Sequence, residues 1–148
     1  MDPPTPLIQL HIQKLHPAAT IPRYIRQGDA ALDLYACEKL TIAAGGHTLV
    51  PTGIAMAIPH GFVGLIWDRS GIAAKNIVKT MGGVIDSNYR GEIKVIMHNH
   101  ADVPFEIEVG TRVAQMVIQR VEQMETVEVS SLDTNTVRGV DGFGSSGK

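Results

Sequence analysis

An all-β fold, a barrel or jelly roll of many short strands, is predicted for this 148-residue chain by three observations. Apolar and polar residues alternate over short runs, glycine and proline interrupt those runs at close intervals, and helix signals occur in one brief segment. The first alternation is Ile8, Leu10 and Ile12, spaced by Gln9, His11 and Gln13, which places the apolar side chains on one sheet face. A strand-like run follows at residues 30–36, with Asp33 between Leu32 and Leu34. Residues 47–50 and 53–58 read as strands on either side of Pro51, and residues 61–67 as another after Pro59. The one helix candidate starts near Ser70, a suitable N-cap, and runs through Ile72, Ala73, Ala74 and Lys75. Val84-Ile85 and residues 93–97 enclose a polar turn and predict a β-hairpin. Residues 93–98, the alternation Phe105, Ile107, Val109, and residues 112–121 beyond Gly110 complete the strands.

Residues 133–148 are different. DTNTVRGVDGFGSSGK is polar and glycine-rich, too poor in apolar area to order itself. It is either a disordered end or an arm that orders on a ligand. The expected organisation is one β domain over residues 1–132 followed by this arm.

Composition narrows the classes of function. A hydrophobic fraction of 44% suffices for a core, and the length suits one domain. The net charge of −2 does not suggest direct binding to a nucleic-acid backbone or an anionic membrane, though a small phosphate ligand needs only a few placed cations. Cys37 is the only cysteine, so no intrachain disulfide or cysteine-built zinc site is expected, and the six histidines show no ligand spacing. The proline-rich start lacks signal-peptide features, and no apolar run approaches the roughly 18 residues of a membrane span. A soluble, cytoplasmic protein is the expectation.

Three segments could carry chemistry. In Asp68-Arg69-Ser70-Gly71, where a buried strand gives way to the helix, free N–H groups and the helix dipole favour an anion. Arg69 adds a bidentate phosphate donor, and Gly71 permits close backbone approach. The plain alternative is a surface arginine beside an ordinary cap. In the segment GGVIDSNYRG, residues 82–91, Asp86 sits where it could take a proton from an attacking water, and Tyr89 could pack on a sugar ring. The alternative is a turn aspartate in an Asx hydrogen bond. In RGVDGFGSSG, residues 138–147, Phe143 between glycines could stack on a base, worth roughly 1–3 kcal/mol, while Arg138, Ser145 and Ser146 could hold phosphates. This glycine-rich stretch matches neither P-loop nor dinucleotide spacing. Asp33 would ordinarily cap a turn or pair with a basic residue, and Gln115, which interrupts an apolar run, would ordinarily satisfy backbone.

Taken in order, AALDLYA, DRSG, GGVIDSNYRG, GTRVAQM and RGVDGFGSSG resemble the five ordered motifs of the homotrimeric dUTPase family, from about Ala30 to Gly147. The resemblance implies a jelly-roll trimer that converts dUTP to dUMP and pyrophosphate with Mg2+, limiting uracil incorporation into DNA. It implies three interfacial sites, each assembled from all three chains. Asp86 would be the general base for in-line water attack on the α-phosphorus. Arg69, Ser70 and Gly71, assisted by Gln115, would bind phosphates. Asp33 would hold waters on a magnesium chelated mainly by the triphosphate. Gly83, Val84, Ile85 and Lys94 would frame uracil and sugar, and Tyr89 would exclude a 2′-hydroxyl. Arg138 would touch the γ-phosphate, Phe143 would cover uracil, and Gly144, Ser145 and Ser146 would close on the phosphates. Asp68 stands where the family commonly has proline, Asn88 where many members have an acid, and Asp141 where glycine is common. Asp68 could repel a triphosphate, or could pair with Arg69 and orient it. A dCTP deaminase shares the fold and trimer but lacks the RGVDGFGSSG pattern, and a non-catalytic nucleotide-gated regulator would not need Asp86, Arg69 and Phe143 together.

Overall fold

A computed structural model describes residues 8–142. Its strands are β1 (His11–Lys14), β2 (Leu32–Tyr35), β3 (Leu40–Ile42), β4 (His47–Ala57), β5 (Phe62–Trp67), β6 (Val78–Met81), β7 (Val84–Ile85), β8 (Glu92–Asn99), β9 (Phe105–Ile107) and β10 (Arg112–Arg120). One helix, α1 (Ser70–Asn76), joins β5 to β6. The strands form two four-stranded antiparallel sheets, ordered β1-β4-β8-β6 and β2-β10-β5-β7, and a two-stranded ribbon, β3-β9. This is the all-β, jelly-roll-like architecture expected from the alternation. No described helix is long and apolar enough to cross a membrane.

Period two sets the packing. Along β8, Ile93, Val95, Met97 and Asn99 are buried while Lys94 faces out. The three apolar side chains join a core that includes Leu34, Val50 and Met116. Buried Asn99 is tolerated because both ends of its amide are satisfied: Nδ2 donates to the carbonyls of Ile42, Ala43 and Val103, and Oδ1 accepts from Ala101 N. These bonds tie the ribbon end to the first sheet.

Several expectations change in three dimensions. The strand expected from Ile8 begins only at His11. The two runs around Pro51 are one strand, β4, with a register irregularity between Pro51 and Ala55 that accommodates the proline and Gly53 at φ +67°. β6 carried too short and polar a pattern to stand out. The predicted hairpin does not form as a ladder: Val84 and Ile85 pair with Leu65 and Gly64 of β5, whereas β8 pairs with β4 and β6. Gly82 and Gly83, at φ +63° and +95°, turn the chain onto the second sheet, and Ile66 N donates to Gly83 O at 2.8 Å. The segment bearing Asp86 and Tyr89 therefore bridges the two sheets. Ser70 is the first residue of α1 rather than its cap; Arg69 holds the cap position, with no side-chain capping bond. The last strand ends at Arg120, and the described chain beyond it runs exposed without helix or strand.

Candidate functional site

The strand register places Asp33 and Trp67 both opposite Gln115, so β2, β10 and β5 contribute one row of side chains on the outer side of the second sheet. Leu32 and Leu34 are buried beneath that row, and their alternation turns Asp33 to the other face. The Asp33 side chain is only 13% exposed, and a carboxylate that desolvated requires cations. It has two. Arg69 Nε donates to Oδ1 at 3.0 Å and Arg112 Nη1 to Oδ2 at 3.3 Å. Arg69 Nη1 also donates to the carbonyl of Arg112 at 3.4 Å. Asp33 thus does what a carboxylate in a strand ordinarily does, and in doing so holds the arginine expected to bind phosphate. Arg112 was missed as a site residue; the need of a strand carboxylate for a cation was the available signal, but the sequence could not say which cation.

Gln115 Nε2 donates to the Asp68 carbonyl at 2.7 Å, so its amide fastens the turn between β5 and α1. Of the two possibilities raised for Asp68, the pairing with Arg69 does not form: the Asp68 carboxylate is bonded elsewhere. Oδ1 accepts from Thr80 N and Thr80 Oγ1, each at 2.6 Å, and Oδ2 accepts from Lys79 Nζ at 3.0 Å. Burial opposes ionisation of Asp68, but the Thr80 hydroxyl and amide and the Lys79 ammonium outweigh it and hold the carboxyl below its ordinary value. Lys79 is the cation that faces this charge. Thr80 and Lys79 had no sequence signal, because β6 was not recognised as a neighbour of this turn.

Asp33, Asp68, Ser70 and Gln115 line a groove of about 690 Å³ with Arg26 and Asp29. Beside it Gly71 is exposed, and a side chain there would meet nothing within 4 Å, so the approach to its backbone is open.

A second groove, of about 460 Å³, brings together Val84, Ile85, Asp86, Tyr89 and Lys94, with Leu49, Glu92 and Ile96. The turn is closed by Tyr89 N donating to the Asp86 carbonyl at 3.1 Å and by Tyr89 Oη donating to the Glu92 carbonyl at 3.0 Å. The Tyr89 ring lies so close over Gly91 that a Cβ there would collide with it. Gly83 is equally constrained: a Cβ would sit 3.0 Å from both Cβ and O of Ile66. Among the described residues the Asp86 carboxylate accepts no hydrogen bond, so no Asx bond engages it. Lys94 pairs with Glu92 at 3.5 Å.

The two grooves share no lining residue. Arg138 lines neither; its Nε donates to the Asp141 carbonyl at 2.8 Å in an exposed stretch. Phe143, Gly144, Ser145 and Ser146 lie outside the described residues. A third, more apolar groove beside β1 contains none of the expected site residues.

Comparison with known proteins bears on the family. The dUTPase family model matches residues 18–147. A deoxyuridine 5'-triphosphate nucleotidohydrolase of Mycolicibacterium gilvum is 47% identical, over 93% of this chain and 94% of its own. A probable deoxyuridine 5'-triphosphate nucleotidohydrolase of Schizosaccharomyces pombe is 43% identical, over 92% and 96%. Among solved structures, the Staphylococcus bacteriophage 80alpha dUTPase with dUPNHPP superimposes with a TM-score of 0.90 at 27% identity, over 95% of this chain and 99% of that one.

Proposed function

Because this chain belongs to the dUTPase family, we propose that it is an enzyme that hydrolyses dUTP to dUMP and pyrophosphate at a site shared between copies of the chain. The observation that carries the reading is a pair of grooves with different chemistry: Arg69 is fixed on Asp33 at the wall of one, and the other holds a carboxylate with no partner beside an aromatic ring.

At the wall of the first groove Arg69, bonded to Asp33, binds the phosphate chain. Two of its nitrogens are committed to Asp33 and the Arg112 carbonyl, which fixes the guanidinium plane. Among the described residues its Nη2 donates to nothing and is the end available to an anion. Ser70 and Gly71 add donors from the start of α1, and Gln115 keeps the turn in place. In the second groove the exposed edge of Gly83, Val84 and Ile85, with Lys94, receives uracil and sugar. Tyr89, anchored at its hydroxyl, packs on the deoxyribose and leaves no room for a 2′-hydroxyl. Asp86 takes the proton of a water as that water attacks the α-phosphorus in line; the bond from the α-phosphorus to the bridging oxygen breaks, and pyrophosphate leaves.

A triphosphate carries more negative charge than Arg69 and Arg138 neutralise, so a hard divalent cation is needed. Among the described residues no group of three or more His, Cys, Asp or Glu side chains is placed to hold one. Asp33, a single carboxylate already bonded to two guanidiniums, suits contact through the cation's waters. The donor set fits a Mg2+ carried mainly by the substrate's own oxygens. When bound, that ion neutralises the phosphate chain and polarises the phosphoryl oxygens.

Within one chain the two grooves share no lining residue, and in this reading a whole site sets the Asp86 groove of a second copy against the Asp33 and Arg69 side of the first. Residues 133–148 of a third copy would then close it, with Arg138 on the γ-phosphate and Phe143, Gly144, Ser145 and Ser146 over uracil and phosphates. Exposed Leu49, Val84 and Trp67 supply apolar surface for such contacts. In the cell this activity would keep dUTP out of DNA and supply dUMP for thymidylate synthesis, as expected of a cytoplasmic enzyme. Incubation with Mg2+ and dUTP, UTP or dCTP tests the proposal. Pyrophosphate should appear from dUTP far faster than from UTP; ammonia from dCTP, or comparable kcat/KM for UTP, would overturn it.

A further inference from the structure

Asp68 is the one acid at the phosphate groove whose carboxylate reaches out of its own sheet. Its backbone carbonyl is held by Gln115 on β10 of the second sheet, while its carboxylate is held by Thr80 and Lys79 on β6, the edge of the first sheet. Arg69 follows directly, extended at φ −86° and ψ 125°, and is itself tied to β2 and β10. The turn is therefore braced between two sheets by its first residue. Proline, common at this position in the family the sequence resembles, would stiffen the turn through its ring but could make none of the bonds to β6.

We propose that Asp68 is a positioning residue for phosphate binding, bracing the Arg69 turn with a hydrogen-bonded strut to Thr80 and Lys79. The strut acts through Arg69 and Ser70 and touches no substrate atom. Its loss frees the turn from β6 and leaves it held from the second sheet alone, so Arg69 no longer presents Nη2 at a fixed place. The cost falls on the phosphates beyond the α position and spares the base and sugar, which bind on the other groove. This role rests on the proposed hydrolysis of dUTP.

Calorimetric titration separates the two ligand halves: α,β-imido-dUTP with Mg2+ reports base, sugar and all three phosphates, and dUMP reports the base-and-sugar end. Asp68→Ala should weaken imido-dUTP about tenfold, the scale of lost charge-assisted hydrogen bonds, and dUMP less than about twofold. Asp68→Asn, which keeps an acceptor for Thr80, should recover most of that loss. Thr80→Val should weaken imido-dUTP about threefold with dUMP unchanged, and it carries the test should Asp68→Ala fail to fold. Parallel losses for both ligands, or unchanged imido-dUTP affinity in Asp68→Ala and Thr80→Val, would overturn the positioning role while leaving wild-type turnover intact. A wild-type protein that neither binds imido-dUTP nor releases pyrophosphate from dUTP would overturn the functional reading itself.

Discussion

The two grooves are built on opposite plans. Around Asp33 both partly buried carboxylates are answered: two arginines on Asp33, threonine and lysine on Asp68, with a glutamine amide on the backbone between them. Around Asp86 the backbone is equally constrained, by the left-handed glycines and the Tyr89 hydroxyl, yet the carboxylate itself is left without a hydrogen bond among the described residues. A group that must bind anions without moving gains from being locked in advance, because the ordering cost is met on folding. A group that must accept a proton gains from an unoccupied oxygen, because every donor already bonded to a carboxylate lowers its basicity.

The largest expected effect breaks the second groove. Asp86→Asn should leave nucleotide binding intact and lower kcat by roughly 10²–10⁴-fold, the usual range for a positioned base; near-normal turnover would place the base elsewhere. Next in size is Arg69→Ala, which should raise KM for dUTP by about 10–100-fold, as expected for a charged group prepared for phosphate, with a smaller fall in kcat. Mixing Asp86→Asn chains with chains truncated before Arg138 sharpens the comparison. Each parent should be inactive and the mixture active, because under the proposed shared site a mixed assembly can form one intact site; a mixture that regains nothing would show that the grooves are not joined across chains.

Stability effects are smaller. Gly83→Ala would force a Cβ against Ile66 at a φ of +95° and should cost about 1–3 kcal/mol, measurable by denaturant titration. The folded pKa of Asp68 is depressed, so its contribution to stability is present above the unfolded value of 3.8 and is lost as pH falls through the lower folded value. Acid titration should accordingly show the gap between wild type and Asp68→Asn narrowing below that pH. The smallest effect should come at Ile77, the left-handed C-cap of α1 at φ 56° and exposed. A β-branched residue there is strained, and Ile77→Gly should raise stability by about 0.5–1 kcal/mol.

The sequence by itself determined which faces of the strands are buried and roughly where the short helix lies, because each was written locally, and it named part of each groove's lining. Alternation sets which side chains of β8 are buried whatever β8 pairs with. The ordered motifs named Asp33, Arg69, Asp86, Tyr89 and Gln115 without any contact being known. Only the tertiary structure decided what these residues do to one another. That Asp33 holds Arg69 with Arg112 depends on β2 lying beside β10 in one register, and that Asp68 binds Thr80 rather than Arg69 depends on β6 running past the end of β5. Whether Val84 and Ile85 pair with β5 or with β8 turned on the left-handed path through Gly82 and Gly83. The physical reason is the same in each case: a periodic pattern specifies a face, whereas hydrogen-bond partners across sheets are fixed by strand order and register, which bring together residues tens of positions apart.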